Sequence, residues 1–219
     1  MFEKIQHVGY QVNDLEKAVA WFSQKFGGRR AGGGTAQLGG RNAFVRFGSI
    51  EVELLEPLNH NELPDNMLLM HHVGYVVPDV RQAAATLEKK GLKFTGDEPN
   101  LNALDQQVLW LDPSTTNDVL IHLTQLPEHP NTVGFGEGLP IDQIIHAGYV
   151  VENLSEAVSW YTDMFGGKYI GGGMSRRGVN NAFVNFGQVQ VELLEPTSSE
   201  QLGGQRQSLD HVGYVVKDI

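Results

Sequence analysis

Histidine and carboxylate residues recur in this chain at a fixed register. The tetrapeptide His-Val/Ala-Gly-Tyr occurs four times, opening at His7, His72, His146 and His211, and each copy runs on into a short polar turn such as Asn13-Asp14 or Glu152-Asn153. A second repeated segment, Val-Glu-Leu-Leu-Glu-Pro, carries Glu53 and Glu192, and His122 lies between Ile121 and Leu123 in an apolar run. Imidazole and carboxylate together suit a first-row divalent metal: Zn, Ni, Co, Mn or Fe(II). A buried ionisable group without a partner is costly, and coordination is one way to supply the partner. A single strand histidine is more often a hydrogen-bonded structural residue. The reading of His7, Glu53, His72 and His122 as one metal set therefore rests on their joint occurrence at equivalent registers. His146, Glu192 and His211 make a second candidate set of three.

The elements that must position these residues follow from periodicity. Residues 5–12 alternate and are predicted as a strand with His7, Gly9 and Gln11 on one face. Asn13 or Asp14 caps a helix whose Leu15, Ala18, Val19, Phe22 and Phe26 form an apolar stripe, and Gly27-Gly28 ends it. The glycine-rich stretch 29–40 reads as a strand and a loop. Strands over 43–47 and 50–56, the second closed by Pro57, complete a β-α-β-β-β module. After a polar connection over 59–67 the pattern repeats: strand 72–77, helix 80–90, strand 92–95, loop 97–105, and strands 107–111 and 119–124. By the same alternation His71 is expected on the face opposite His72, in a structural role. His60 and His129 fall in polar connections and are expected to be solvated, and Glu56 and Glu195 read as surface carboxylates.

Residues 127–140, with three prolines and three glycines, read as a linker. The first module then returns in register: His146, Glu192 and His211 stand 139 positions after His7, Glu53 and His72. The expected fold is α+β, with tandem βαβββ modules paired about a pseudo-twofold into a cupped mixed sheet. Residues 1–127 form a complete two-module domain, 128–142 a linker, and 143–219 a second domain holding a third module and the first strand of an incomplete fourth. The stop at Ile219 suggests a truncated form of a longer chain, with completion by another subunit as the alternative.

Composition excludes several function classes. The 219 residues contain no cysteine, so disulfides, thiolate metal sites and cysteine nucleophiles are ruled out. The formal net charge of −10 and the lack of a basic stripe argue against nucleic-acid binding. No run approaches the roughly 20 apolar residues of a membrane span, and the N-terminus has no signal-peptide pattern. A cytoplasmic protein with a small-molecule substrate is expected, acting alone or as a homodimer.

These motifs resemble the vicinal oxygen chelate superfamily, the glyoxalase I and methylmalonyl-CoA epimerase group. The resemblance covers nearly the whole chain and is closest to the epimerase branch over residues 5–126. His7-Val8-Gly9-Tyr10 is similar to the first ligand motif. Phe47-Gly48 with Val52-Glu53-Leu54-Leu55-Glu56-Pro57 looks like the strand that supplies a Glu or Gln ligand, and His71-His72-Val73-Gly74 looks like the third. The resemblance implies paired βαβββ modules cupped around one divalent metal. It also implies a substrate bound through vicinal oxygens, with Lewis-acid stabilisation of an enolate-like oxyanion and proton transfer by a nearby base. Glu53 and His122 are the candidate bases, and Arg29, Arg30 and above all Arg41 are candidate substrate anchors. Two positions depart from the pattern. The fourth ligand of epimerases and glyoxalases is Glu, where this chain has His122. The stretch 35–41 offers only Gln37 against the epimerases' other catalytic Glu. The leading expectation is a metal-dependent isomerase, epimerase or lyase on a small oxygenated metabolite. The alternatives are an Fe(II) extradiol-type dioxygenase, whose Glu would also fall at His122, and a non-catalytic binding or resistance protein with aromatics such as Phe44, Phe47 and Trp110 in the cup.

Overall fold

The computed structural model describes residues 1–36, 39–59, 68–174, 178–198 and 202–217. The connection over 60–67, with His60, and the position of Gln37 lie outside the described residues. In the first half, β1 (Lys4–Gln11), α1 (Leu15–Phe26), β2 (Arg29–Thr35), β3 (Arg41–Phe47) and β4 (Ile50–Glu56) form one module. The next comprises β5 (Leu69–Val76), α2 (Val80–Glu88), β6 (Asn100–Leu101), β7 (Gln107–Trp110) and β8 (Leu120–Gln125). Together they build an eight-stranded mixed sheet in the order β2-β3-β4-β1-β5-β8-β7-β6. Antiparallel β1 and β5 join the modules at its centre, and each is flanked by the parallel last strand of its own module. The fold is α+β, a curled half-barrel of tandem modules, with a second sheet beside it.

That second sheet holds β9 (Ile141–Val151), β10 (Lys168–Met174), β11 (Asn180–Asn185), β12 (Gln190–Glu195) and β13 (Gln207–Val216), with α3 (Leu154–Phe165) against it. Its order, β10-β11-β12-β9-β13, repeats the first module and the central antiparallel pairing.

Local chemistry sets the helix ends. Asp14 caps α1 by accepting from the Lys17 amide, and Gly27 closes it with a φ of 69°. Asn153 and Gly166 do the same for α3. The Glu56 carboxylate accepts from the Leu15 amide and pairs with Arg41, while Glu195 accepts from the Leu154 amide. Both glutamates are therefore tied into helix starts, which a reading as surface carboxylates missed.

One expected strand is displaced. Over 92–95 only Phe94 pairs, in an isolated bridge to Leu111, and the strand forms at Asn100–Leu101, inside the expected loop. Gly96 and Pro99 interrupt the run, and proline has no amide to donate to a ladder. The linker is docked rather than free. Gly48 donates to Glu137 O at 2.7 Å, Gly136 donates to Gly48 O at 2.6 Å, and Leu139 donates to Phe26 O at 2.9 Å.

A continuous core joins the two sheets. Tyr75 and Tyr149 project from the strand faces opposite His72 and His146, and their hydroxyls meet at 3.0 Å in full burial. Phe2 stacks on Tyr75 at 4.3 Å and also packs on Phe165 and Phe186. No helix among the described residues is long and apolar enough to cross a membrane.

Candidate metal centre

The cupped face of the first sheet collects His7 from β1, Glu53 from β4, His72 from β5 and His122 from β8. His7 Nε2 lies 3.0 Å from His72 Nε2, 3.1 Å from His122 Nε2 and 3.3 Å from Glu53 Oε2. Glu53 Oε2 is also 3.1 Å from His72 Nε2. All three rings are buried, and Glu53 is 8% exposed.

Glycine makes this convergence sterically possible. Gly9 stands opposite His72 and Gly74 opposite His122 across the sheet. A Cβ at Gly9 would overlap the His72 ring, and one at Gly74 would overlap His122. The glycine two residues after each motif histidine is thus the space that a ring from the adjacent strand occupies. Gly148 and Gly213 do the same for His211 and His146.

The groups behind the donor atoms orient them. Asn42 Nδ2 donates to Glu53 Oε1 at 2.6 Å while its Oδ1 accepts from the Gly34 amide. Thr124 Oγ1 lies 3.0 Å from His122 Nδ1. His71 Nδ1 lies 2.9 Å from His72 Nδ1, and His71 lines the cavity instead of turning away. The cause is a β-bulge. Gly9 pairs with His72 and Tyr10 with Met70, so His71 is an extra residue, and strict alternation fails there.

Burial governs the charge states. It pushes the Glu53 carboxyl up, but the adjoining His7 and His72 rings more than offset this and hold it well below the usual range. Burial lowers His72, with Glu53 acting against it. Burial and the neighbouring His7 and His72 put His122 well below an ordinary imidazole. His71 is lowered to about 4, mainly by burial. At neutral pH His72 and His122 are thus neutral and Glu53 is anionic, the forms that ligate.

The donor set fits a divalent metal. A neutral imidazole has one N–H, so His7 Nε2 can share at most one proton among its three contacts. Each remaining contact needs a proton from the neighbouring ring or sets two lone pairs together, and a cation relieves the second case. A centre with donors at about 2.0–2.2 Å spaces them about 3 Å apart, as here. His7, His72 and His122 also offer ligand atoms that all lie within 4.8 Å of one another.

A cavity of about 220 Å³ opens over the set, lined by Glu53, Asn42, His71, Phe44, Trp110 and His122 among others. Trp110 packs on the His72 and His122 rings at 4.8 and 4.7 Å. Phe47 does not reach the cup and stacks on Phe22 and Phe26 in the core. Arg41, expected as a substrate anchor, does not line the cavity, and its guanidinium pairs with Glu56 at 2.6 Å. Arg29 and Arg30 pair with Glu137 and Glu16.

The second half repeats part of the set. His211 Nε2 is 3.1 Å from His146 Nε2 and 3.2 Å from Glu192 Oε2, and His146 Nε2 is 3.7 Å from the same oxygen. These residues are half-buried. Asn181 donates to Glu192 at 3.0 Å, as Asn42 does to Glu53. The bulge also recurs: Asp210 is its extra residue, and its carboxylate lies 2.8 Å from His211 Nδ1. The supporting residues Asn42, Thr124 and Asp210 escaped sequence reasoning, and His71 was expected on the opposite face. Only the asparagines carried a usable signal, through repetition at the same offset.

Relatives carry the same modules. A human mitochondrial methylmalonyl-CoA epimerase is 29% identical over 129 residues, 56% of this chain and 73% of its own. An ethylmalonyl-CoA/methylmalonyl-CoA epimerase of Cereibacter sphaeroides is 29% identical over 58% of this chain and all of its own. A Streptomyces coelicolor methylmalonyl-CoA epimerase variant, solved with 2-nitronate-propionyl-CoA, shares the fold with a TM-score of 0.51, at 21% identity over 60% of this chain and 99% of its own. The family model described as Glyoxalase/Bleomycin resistance protein/Dioxygenase superfamily matches residues 6–110 and 145–219. The repeated modules, their cupped pairing and this match make the chain a member of that superfamily.

Proposed function

We propose that the first half is a divalent-metal-dependent isomerase of the epimerase type, moving a proton α to the carbonyl of a small acyl substrate, with acyl-CoA thioesters as the first class to test. One observation carries the reading: three imidazoles and a carboxylate crowd at 3.0–3.3 Å on the floor of a cavity. His7, His72 and Glu53 form a closed triangle, and the same triangle recurs at His146, His211 and Glu192. These three would hold the ion, which when bound supplies Lewis-acid polarisation of the substrate carbonyl.

His122 adjoins that triangle at its His7 corner, with its Nε2 3.1 Å from His7 Nε2. Its Nδ1 is held by Thr124, which leaves Nε2 to face the cavity floor as a neutral base. In this reading His122 Nε2 takes the α-proton and returns it, while the electron pair of the broken C–H bond passes to the carbonyl oxygen. Glu53, fixed by Asn42, orients the donor triangle. Trp110 and Phe44 exclude water from the acyl group. The epimerase relatives support the reaction class, and His122 stands where the family resemblance implies a Glu.

The test combines metal analysis with solvent exchange. Protein purified without an affinity tag is expected to hold about one equivalent of a first-row metal in the first half. The His7→Ala/His72→Ala variant should lose that equivalent. His122→Gln should keep the metal but lose deuterium incorporation at the α-carbon by about 10²–10⁴-fold, the usual worth of a general base. No metal uptake from Zn, Ni, Co, Mn or Fe(II) would sink the reading. Metal uptake with stoichiometric ligand binding and no exchange would favour the binding-protein alternative, for which Phe44 and Trp110 in the cup are the supporting observation.

A further inference from the structure

Behind His7 lies a buried charge pair that the centre does not use directly. Glu51 and Arg46 are 0% and 1% exposed, and Arg46 Nε donates to Glu51 Oε2 at 2.7 Å. The other Glu51 oxygen, Oε1, has no hydrogen-bond partner, and neither has His7 Nδ1. These two buried atoms face each other 3.6 Å apart. Register puts them there, because His7 and Glu51 are direct partners across the parallel β1–β4 pair. An imidazole N–H and a carboxylate oxygen, each otherwise unsatisfied, form a donor and acceptor that a shift of a few tenths of an ångström would join.

Arg46 is gripped from its far side by the segment that leads to the second half. Its Nη1 donates to Asn131 O at 2.7 Å and Val133 O at 3.2 Å, and its guanidinium lies 4.2 Å above the Phe135 ring. The same segment is stapled to the β3–β4 turn through Gly48. The module does not need this device in order to fold. At the same offset of 139, the second half has Asn185 and Gln190, which carry no charge.

We propose that Glu51 is a positioning residue for the first-half centre. It accepts from His7 Nδ1–H and so fixes the tautomer in which the Nε2 lone pair points at His72 and Glu53. Arg46 holds the carboxylate in place, and the seated 131–135 segment holds Arg46, which links the centre to the arm between the halves. The inference rests on the metal reading above. Carboxylates placed behind ligand histidines typically contribute 10–100-fold in metal affinity.

The experiment uses the full chain. Affinity for Zn is measured by chelator competition in wild type and in Arg46→Leu/Glu51→Leu, which removes the acceptor without stranding a buried charge. A 10–100-fold loss at native circular dichroism is expected, and unchanged affinity would overturn the proposal. If that variant fails to fold, ¹⁵N imidazole shifts of the metal-free wild type decide the matter. A proton on His7 Nδ1 supports Glu51 as its acceptor, whereas a proton on Nε2 refutes it. A structural charge pair would move the unfolding midpoint but neither of these readouts. Failure of wild type itself to bind Zn would count against the metal reading, and the tautomer would still test Glu51.

Discussion

His72 and His122 are buried imidazoles held neutral, and this has a consequence for stability. Their folded values lie below the ordinary 6.5, so between the two values the unfolded chain binds more protons than the native one. Stability therefore rises with pH through that window, is fully present above about 6.5, and is lost as pH falls below it. The metal-free protein is expected to show urea midpoints that decline steadily from pH 7.5 to pH 5. A flat profile would mean that the rings are solvated or already protonated in the native state. At this scale the sequence was informative about donors and silent about their support. His7, Glu53, His72 and His122 stood out because repeats mark them. The Asn42 amide, the Thr124 hydroxyl and the Glu51 carboxylate act through geometry across strands, which alternation along one strand does not reveal.

At the scale of elements, the antiparallel β1–β5 pair does two things at once: it joins the modules and it makes room for the ligand rings. Gly9→Ala would drive a methyl group into the His72 ring. Overpacking of this kind costs about 1–3 kcal/mol, and here the relief is a rotated ligand. The variant is expected to bind metal at least tenfold more weakly while its thermal midpoint drops by several degrees, both read on the same sample by chelator competition and calorimetry. Metal affinity equal to wild type would show that the ring has another place to go. The helices and most strands were legible because capping residues and apolar stripes are local. The β6 strand was not, since it pairs over only two residues after Pro99. His71 was misassigned because a bulge is a property of two strands, and its extra residue looks ordinary on one of them.

For the molecule as a whole, the two sheets are held together by buried aromatic and hydroxyl contacts rather than by the linker alone. Tyr75 and Tyr149 share a hydrogen bond in full burial, and Tyr149 also reaches Tyr161. Tyr75→Phe removes one bond of that chain without opening a cavity, so a loss of about 1 kcal/mol in denaturant unfolding is expected. A larger loss, or a second unfolding transition, would mean that this bond couples the halves more tightly than its own energy implies. The repeat made the return of the first module in the second half legible. The packing of the two halves was not, because it depends on faces that carry no motif. The ring-and-glycine fit also keys strand alignment. A slip of β5 along β1 would set the His72 ring against a side chain instead of against Gly9, so the residues that gather the donors also reject misregistered folding. The key has a flaw, because β13 carries the same His-Val-Gly-Tyr teeth as β5. During refolding β1 can therefore accept the wrong strand, from its own chain or from a neighbouring one, and nothing in the central pairing would object. Discrimination falls to residues that differ between the two strands, such as the bulge residue, His71 in β5 against Asp210 in β13, so His71→Asp should raise the yield of strand-swapped oligomers at high protein concentration.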